Sequence, residues 1–182
     1  NPRSSEEGYL KLVESGDWTS GFFPGNLWFM YEYTRDVKWK EAANLYSMQI
    51  EAEKNNDRTH DMGFKLNSSF GNGYRLTSDF KYKSILLEGA QTLIKRFNPT
   101  VGCIRSWNHN SDKWEFPVII DNMMNLELLF WAYRETRDSS FYNIAVSHAV
   151  KTMEHHFRDD YSTYHVVSFD TINGEVEKKN TH

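Results

Sequence analysis

The 182-residue chain has few of the features that would commit it to a disulfide-bonded, metal-clustered or membrane-spanning architecture. Its single cysteine, Cys103, excludes an intrachain disulfide and any metal site built from several cysteines, and we expect it to be a small buried filler. No run approaches the roughly 18 apolar residues that a bilayer-spanning helix needs. A formal charge of −4 gives no broad basic surface, which disfavours nucleic acid as a partner. We therefore expect a soluble protein, cytoplasmic or periplasmic, with no membrane partner.

Proline and glycine are also scarce, at 4 and 10 residues, whereas aromatic residues make up 15% of the chain. Few breakers and many rings predict long elements with aromatic faces. The sequence contains no phosphate-binding glycine motif, nucleophile elbow or His-Glu-x-x-His zinc pair, so we expect no cofactor and no metal. His155 and His156 follow Glu154 on an amphipathic stretch, which we interpret as a solvated face rather than a set of ligands.

A weak repeat occurs three times along the chain, beginning at Thr34, Thr77 and Thr136. Each copy is Thr-x-Asp, with an aromatic residue three positions after the Asp and apolar residues six and seven positions after it. This spacing forms one face of an α-helix, and the Asp is a natural N-cap. The repeat predicts outer amphipathic helices over 38–53, 80–97 and 139–157.

An apolar segment precedes each copy of the repeat, at 27–33, 62–76 and 123–133, and predicts an inner helix. Stacked helical hairpins of this kind form an open solenoid or a closed α/α toroid. Three hairpins rarely close a ring, so residues 1–182 are predicted to form a single incomplete domain of a longer polypeptide. A freestanding three-hairpin bundle is the alternative.

Two aspartates and one tryptophan hold equivalent positions before the inner helices. Asp61 and Trp18 each lie 16 residues, and Asp121 lies 15 residues, before the Thr of the next repeat. If the hairpins are equivalent, the three side chains project from one end of the assembly. Apolar neighbours of both aspartates favour a raised pKa, which would keep a proton available near neutral pH. The alternative is that each caps its inner helix, which would lower the pKa.

Further candidates are suited to binding a sugar. Trp18 lies in a loop rich in glycine and aromatic residues, and Trp107 lies in Arg-Ser-Trp-Asn-His at 105–109. Sugar rings stack on indole faces, although a buried core tryptophan is the alternative for each. His60 and His165 could donate hydrogen bonds to hydroxyl groups, or serve as structural histidines.

Several segments, in this order, resemble the unsaturated glucuronyl hydrolases, glycoside hydrolase family 88. They are Asp-Trp-Thr-Ser-Gly-Phe at 17–22, His-Asp-Met-Gly-Phe at 60–64, Ile-Asp-Asn-Met-Met-Asn at 120–125, Ser-Thr-Tyr-His at 162–165 and Thr-His at 181–182. Each is weak alone, but together they are specific and cover almost the whole chain. The resemblance implies an all-α fold, a six-hairpin α/α toroid of which this chain is about the N-terminal half.

The resemblance also implies an enzyme that hydrates the C4=C5 vinyl ether of the unsaturated uronate at the non-reducing end of lyase-derived oligosaccharides. Asp121 would be the general acid and base, protonating the double bond and activating water for C5, and Asp61 would hold ring hydroxyls. The positions that match the family's sugar subsite are Trp18, His60, Trp107 and His165. The expected partners are the unsaturated oligosaccharide and the rest of the polypeptide, which would complete the toroid and the site.

Three other functions fit parts of the pattern. The related unsaturated rhamnogalacturonyl hydrolases share the toroid and a catalytic aspartate, but the segments at 60–64 and 120–125 favour the glucuronyl group. A non-catalytic α/α carbohydrate-binding protein would need the aromatic residues but not two acids. A helical scaffold for protein partners would have no affinity for sugar.

Overall fold

The computed structural model describes residues 1–181, which are mainly helical, with three small antiparallel sheets. The helices of this range are α1 (Phe22–Thr34), α2 (Val37–Met48), α3 (Asn72–Thr77), α4 (Phe80–Ile94), α5 (Leu126–Thr136) and α6 (Ser139–His156). The strands are β1 (Pro2–Glu6), β2 (Tyr9–Leu12), β3 (Phe97–Asn98), β4 (Cys103–Ile104), β5 (Pro117–Ile119), β6 (Val166–Phe169) and β7 (Val176–Asn180). His182, the last residue of the Thr-His pair at 181–182, lies outside the described residues.

The expectation of a mainly helical fold is confirmed. The all-α assignment needs correction, because the chain also contains short strands. Strands β1 and β2 form one hairpin, β3 pairs with β4, and β5, β6 and β7 form a three-stranded sheet in that order. Strands of two to five residues give a weak period-2 signal beside a helical repeat, so the apolar spacing did not reveal them. Across residues 1–181, none of the helices is long and apolar enough to cross a bilayer.

Each Thr-x-Asp copy forms the same turn between two helices, as the repeat predicts. The Thr hydroxyl donates to the carbonyl four residues earlier and accepts the Asp backbone N–H, and the Asp carboxylate accepts the N–H two residues later. The middle residues are left-handed: Arg35 (φ 59°), Ser78 (φ 57°) and Arg137 (φ 63°). The aspartates of the repeat therefore act as N-caps, and each turn reverses the chain.

Several helix boundaries differ from the predicted ones. The outer helix predicted for 38–53 ends at Met48 and is followed by a 3-10 turn at Glu51–Asn55, and the one predicted for 80–97 ends at Ile94. The prediction for 139–157 agrees with α6 to within one residue. Two inner segments start as other helix types, a π-helix at Gly63–Gly71 before α3 and a 3-10 helix at Ile120–Asn125 before α5. Apolar spacing alone does not distinguish these hydrogen-bonding patterns.

The chain divides into two compact units, of which the first comprises Asn1–Asn56 and Asp61–Ala90. In this unit α1 packs against α2, and the buried indole of Trp28 donates from Nε1 to Ser47 Oγ at 3.2 Å. The Tyr82 hydroxyl, on α4, donates to Asn44 Oδ1 of α2 at 2.6 Å. These polar contacts, of which only the Trp28–Ser47 bond is fully buried, orient the helices that the apolar stripes bring together.

The second unit comprises Asp57–His60 and Gln91–His182. In this unit α5 packs against α6, and the residues of one apolar cluster are Val101, Cys103, Phe116, Val118, Val167 and Phe169. Cys103 is buried, as expected of a filler, and burial raises the pKa of its thiol to about 12. His156 is fully buried, with Nε2 3.0 Å from Val118 O. The interpretation of His155 and His156 as a solvated face is therefore wrong for His156, because α6 turns this side chain towards β5.

Candidate functional site

Trp18 lies in the loop before α1, and 47% of its surface is exposed. Its ring packs edge-on against Phe22 and Phe64, with centroid distances of 6.0 and 5.7 Å. The core alternative for Trp18 is therefore excluded. About half of the Trp18 surface is thus accessible to a ligand, as stacking on a sugar ring requires.

Gly21 lets the Trp18 loop approach the backbone that follows Asp61. A Cβ atom at position 21 would lie 2.2 Å from Lys65 O and 2.4 Å from Phe64 O. Asp61 accepts the Lys65 N–H through its backbone carbonyl at 3.0 Å. In the first unit, the loop that contains Trp18 therefore packs directly on the backbone that follows Asp61.

A buried ion pair between Lys65 and Glu53 holds the start of the Trp18 loop. The Lys65 side chain is fully buried and donates to Glu53 Oε2 at 2.9 Å. Glu53 also accepts hydrogen bonds from Ser15 Oγ at 2.8 Å and Asn56 Nδ2 at 2.7 Å. Burial opposes ionisation of Glu53, but the hydrogen bonds from Asn56, Lys65 and Ser15 outweigh it and lower the pKa of the carboxyl. Ser15 begins the segment that leads to Trp18, so the network fixes where that loop starts.

The two candidate aspartates differ in where they lie relative to the helical segment beside them. The N-cap residues are Met62 for the π-helix and Ile119 for the 3-10 helix, and neither uses a side chain to cap. Asp121 lies in the first turn of the 3-10 helix, and Asp61 directly precedes Met62. Position therefore disfavours the capping alternative for Asp121. For Asp61 capping remains an alternative, because its carbonyl accepts the Lys65 N–H at the start of the helical segment.

In the second unit, β5 brings three candidate segments together. The Ile120 N–H donates to His165 O at 3.0 Å, and the Ile119 N–H donates to Ser106 Oγ at 2.9 Å. His165 thus lies beside the residue that directly precedes Asp121. Ser106 directly precedes Trp107, so its hydrogen bond with Ile119 holds the Trp107 segment next to the end of β5.

That tryptophan, Trp107, is half-buried in an aromatic cluster. Its ring stacks on His109 at a centroid distance of 5.4 Å and contacts Trp114 edge-on at 6.4 Å. Lys178 Nζ lies 4.6 Å from the centre of the Trp114 ring. Trp107 is therefore neither a fully buried core residue nor a fully exposed platform, and the cluster fixes its orientation.

His60 and Asp121 are in polar contact in the second unit. His60 Nε2 lies 3.7 Å from Asp121 Oδ1, and the two side chains are 4% and 43% exposed, respectively. A carboxyl group that is accessible to solvent and adjacent to a buried imidazole can exchange a proton with a bound ligand. Among residues 1–181 there is no group of three or more His, Cys, Asp or Glu side chains arranged to hold a metal ion.

The candidate residues are therefore divided between the two units. The first unit contains Trp18 and Asp61, and the second contains the other four, His60, Trp107, Asp121 and His165. Sequence reasoning missed the buried Lys65 and Glu53. A lysine inside the apolar segment 62–76 was the available signal, because a buried lysine requires a partner.

No family model matches the chain, but known proteins do. An "unsaturated glucuronyl hydrolase" of Formosa agariphila is 55% identical over 171 residues, which cover 93% of this chain and 43% of the relative. An "unsaturated chondroitin disaccharide hydrolase" of Streptococcus pneumoniae is 34% identical over 92% of this chain and 43% of its own length. The chain thus spans less than half the length of these curated relatives.

Solved structures show the same similarity. The crystal structure of an unsaturated glucuronyl hydrolase specific for heparin superposes with a TM-score of 0.96 at 46% identity and covers 100% of this chain and 49% of that one. The unsaturated glucuronyl hydrolase of Streptococcus agalactiae gives a TM-score of 0.92 at 31% identity, covering 100% and 47%.

Proposed function

Since the chain belongs to the unsaturated glucuronyl hydrolase family, we propose that the complete protein is a glycoside hydrolase acting on unsaturated uronic acid oligosaccharides. It hydrates the C4=C5 double bond at the non-reducing end. Water adds across the vinyl ether, with a proton at C4 and a hydroxyl at C5. The C5 hemiketal opens to a C5 ketone and leaves a hemiacetal at C1. The hemiacetal collapses to an aldehyde and expels the rest of the oligosaccharide as an alcohol, so the former unsaturated sugar leaves as a 4-deoxy-5-keto uronate.

Asp121 is the proposed general acid and base of this reaction. The observation that carries the assignment is the contact with His60: the carboxyl group is accessible, beside a buried imidazole, at the end of strand β5. As the acid it protonates C4, and as the base it takes a proton from the water that attacks C5. The rate is then expected to fall as the pH rises through the pKa of this group, because the proton donor is lost.

The remaining candidates bind the sugar in this proposal. Asp61 accepts hydrogen bonds from ring hydroxyls, and the exposed face of Trp18 stacks on the apolar side of a sugar ring. His60, Trp107 and His165 complete the subsite. We further propose that the two units are parts of one α/α toroid, whose remaining hairpins and site residues lie elsewhere in the polypeptide. As part of this proposal, the Asp61 and Asp121 side chains project from the same end of the toroid.

Glycosaminoglycan disaccharides are the proposed substrates. One structurally similar protein is an unsaturated glucuronyl hydrolase specific for heparin. Several relatives are named unsaturated chondroitin disaccharide hydrolases, and a variant of the Streptococcus agalactiae enzyme was solved in complex with dGlcA-GalNAc6S. Unsaturated disaccharides from both polysaccharides are therefore the first to assay.

Turnover in heavy water tests the reaction. The complete protein is incubated with each unsaturated disaccharide in D2O, and the loss of vinyl-ether ultraviolet absorbance is followed. Hydration predicts deuterium at C4 of the released uronate, with one atom per molecule at early times before the ketone exchanges its α-hydrogens with solvent, and no cleavage of the matched saturated disaccharide. Cleavage without deuterium at C4 would contradict hydration. Binding of the unsaturated disaccharide without any turnover would indicate the non-catalytic carbohydrate-binding alternative.

A further inference from the structure

The backbone of one residue in the second unit, Ile104, is held by two buried side chains, one at its N–H and one at its carbonyl. The Ile104 N–H, in β4, donates to His148 Nδ1 at 3.0 Å, and the Ile104 carbonyl accepts from Asn122 Nδ2 at 3.1 Å. All three residues are fully buried. Asn122 directly follows Asp121, so this clamp links α6 through β4 to the 3-10 helix that carries the proposed acid.

The acceptor role of His148 determines its tautomer. Because Nδ1 accepts the Ile104 N–H, the proton of the neutral imidazole lies on Nε2. Burial, with His60 and His156 nearby, lowers the pKa of His148 to about 3. The ring therefore stays neutral, and Nδ1 remains an acceptor, at every pH at which a glycosidase of this kind would be assayed.

The same face of α6 holds the neighbouring strand. His156 lies two turns after His148, and its Nε2 donates to Val118 O in β5 at 3.0 Å. Strand β5 leads directly into the 3-10 helix of Asp121. The backbone before Asp121 and the side chain after it are thus both tied to α6, one directly and the other through Ile104.

We propose that His148 and Asn122 are positioning residues of the site, which fix the direction of the Asp121 carboxyl by clamping the backbone N–H and carbonyl of Ile104. Asn122 shares its 3-10 turn with Asp121, so a rotation of that turn would require the Asn122–Ile104 hydrogen bond to break in a buried environment. A catalytic group displaced by about 1 Å can lose about 100-fold in rate, so small rotations matter. The catalytic part of this inference rests on the proposed function.

Variants at position 148 distinguish the hydrogen-bonding role of His148 from a role in core packing alone. His148→Asn keeps an acceptor where Nδ1 stood, whereas His148→Leu removes it at similar bulk. In the complete protein, His148→Leu is expected to lower kcat for an unsaturated disaccharide about 10- to 100-fold with KM changed less than about twofold. His148→Asn should stay within about threefold of wild type, since the contact survives. Thr152→Val, one turn along the same buried face, is the matched control and should leave kcat unchanged.

A second pair of variants keeps the test decisive if His148→Leu does not fold. Asn122→Leu is expected to lower kcat like His148→Leu, and Asn122→Leu combined with His148→Asn should lose no more than Asn122→Leu alone, because both side chains act through the backbone of Ile104. Hydrogen exchange at the Ile104 and Asp121 amides reports the clamp directly, and it should accelerate in Asn122→Leu but not in Thr152→Val. Unchanged exchange at both amides, or wild-type kcat in a folded Asn122→Leu protein, would overturn the proposal. If the wild type turns over no unsaturated disaccharide, the proposed function fails, and amide exchange still decides the clamp.

Discussion

The Nε2 atom of His60 lies 3.7 Å from Oδ1 of Asp121, although the His60 side chain is only 4% exposed and that of Asp121 is 43% exposed. The Asp121 oxygen that faces the imidazole, Oδ1, is itself buried, so the exposed surface of this side chain belongs to its other atoms. The distance is longer than a hydrogen bond, so the two groups are in polar contact without a direct hydrogen bond between them.

Removing this contact should slow the reaction. His60→Leu is expected to lower kcat/KM by about 10- to 100-fold. It removes the imidazole that we expect to hydrogen-bond the Asp121 carboxyl once substrate is bound, and a hydrogen bond to a charged group contributes about 1.5–3 kcal/mol. His60→Gln keeps a donor at a similar reach and should lose less. Steady-state kinetics on an unsaturated disaccharide measure both. Equal kcat/KM for His60→Leu and the wild type would remove His60 from the site.

Loss of the Trp18 indole should weaken substrate binding. Trp18→Ala is expected to raise KM about tenfold, because an aromatic stacking contact is worth about 0.5–1.5 kcal/mol beyond its buried area. Trp18→Phe should fall between this variant and the wild type. Phe80→Ala, which removes another exposed ring in the first unit, is the control. An unchanged KM for Trp18→Ala would contradict stacking at this position.

Breaking the buried ion pair should destabilise the first unit. Lys65→Met leaves the Glu53 carboxylate buried without its cation, and the free energy of unfolding should fall by about 3–5 kcal/mol. Lys81→Met removes an exposed lysine 3.7 Å from Glu51 and should cost less than about 1 kcal/mol. Urea denaturation measures both. Similar losses in the two variants would show that the Lys65–Glu53 pair has no special role.

The buried histidine of α6 should make the stability of the second unit depend on pH. His148 has a pKa of about 3 in the folded protein and about 6.5 when unfolded. The unfolded state therefore binds one more proton between these values, so stability is complete above pH 6.5 and decreases as the pH falls. The slope from this group is at most about 1.4 kcal/mol per pH unit. His148→Asn should reduce the slope between pH 4 and 6 by about that amount, as about 1.4 kcal/mol per unit is the single-proton limit.

Denaturation at several pH values, with His109→Asn as a control at an exposed imidazole, measures this slope. A slope in His148→Asn equal to that of the wild type would show that His148 is not the group that titrates on unfolding.

The repeat made the helical hairpins predictable because its interactions are local. The Thr, the left-handed residue and the Asp of each copy satisfy one another within a few residues, so three turns could be read from spacing alone. The helix types were not predictable in this way. The π-helix over Gly63–Gly71 and the 3-10 helix over Ile120–Asn125 depend on contacts with distant segments, as at Gly21 and Ile104.

The sequence predicted those residues of the candidate site whose own side chain would act on the sugar, the two aspartates and the tryptophan. Asp61, Asp121 and Trp18 stood out by register, and the structure gives Trp18 the exposure that stacking needs. The supporting residues were not predictable, since their partners are far away in sequence: Lys65 lies 12 residues from Glu53, and His148 lies 44 residues from Ile104. Apolar periodicity identifies which face is buried, but it does not identify which polar groups meet there.

The central claim, that Asp121 transfers the proton, is tested most directly by Asp121→Asn in the complete protein. The amide has nearly the same shape as the carboxyl but cannot act as the acid or the base at neutral pH. Calorimetry should show that the unsaturated disaccharide still binds with wild-type affinity to within about threefold, since proton transfer contributes to the rate and not to ground-state binding. Loss of vinyl-ether absorbance should slow by at least about 100-fold. Turnover at the wild-type rate by Asp121→Asn would contradict the account.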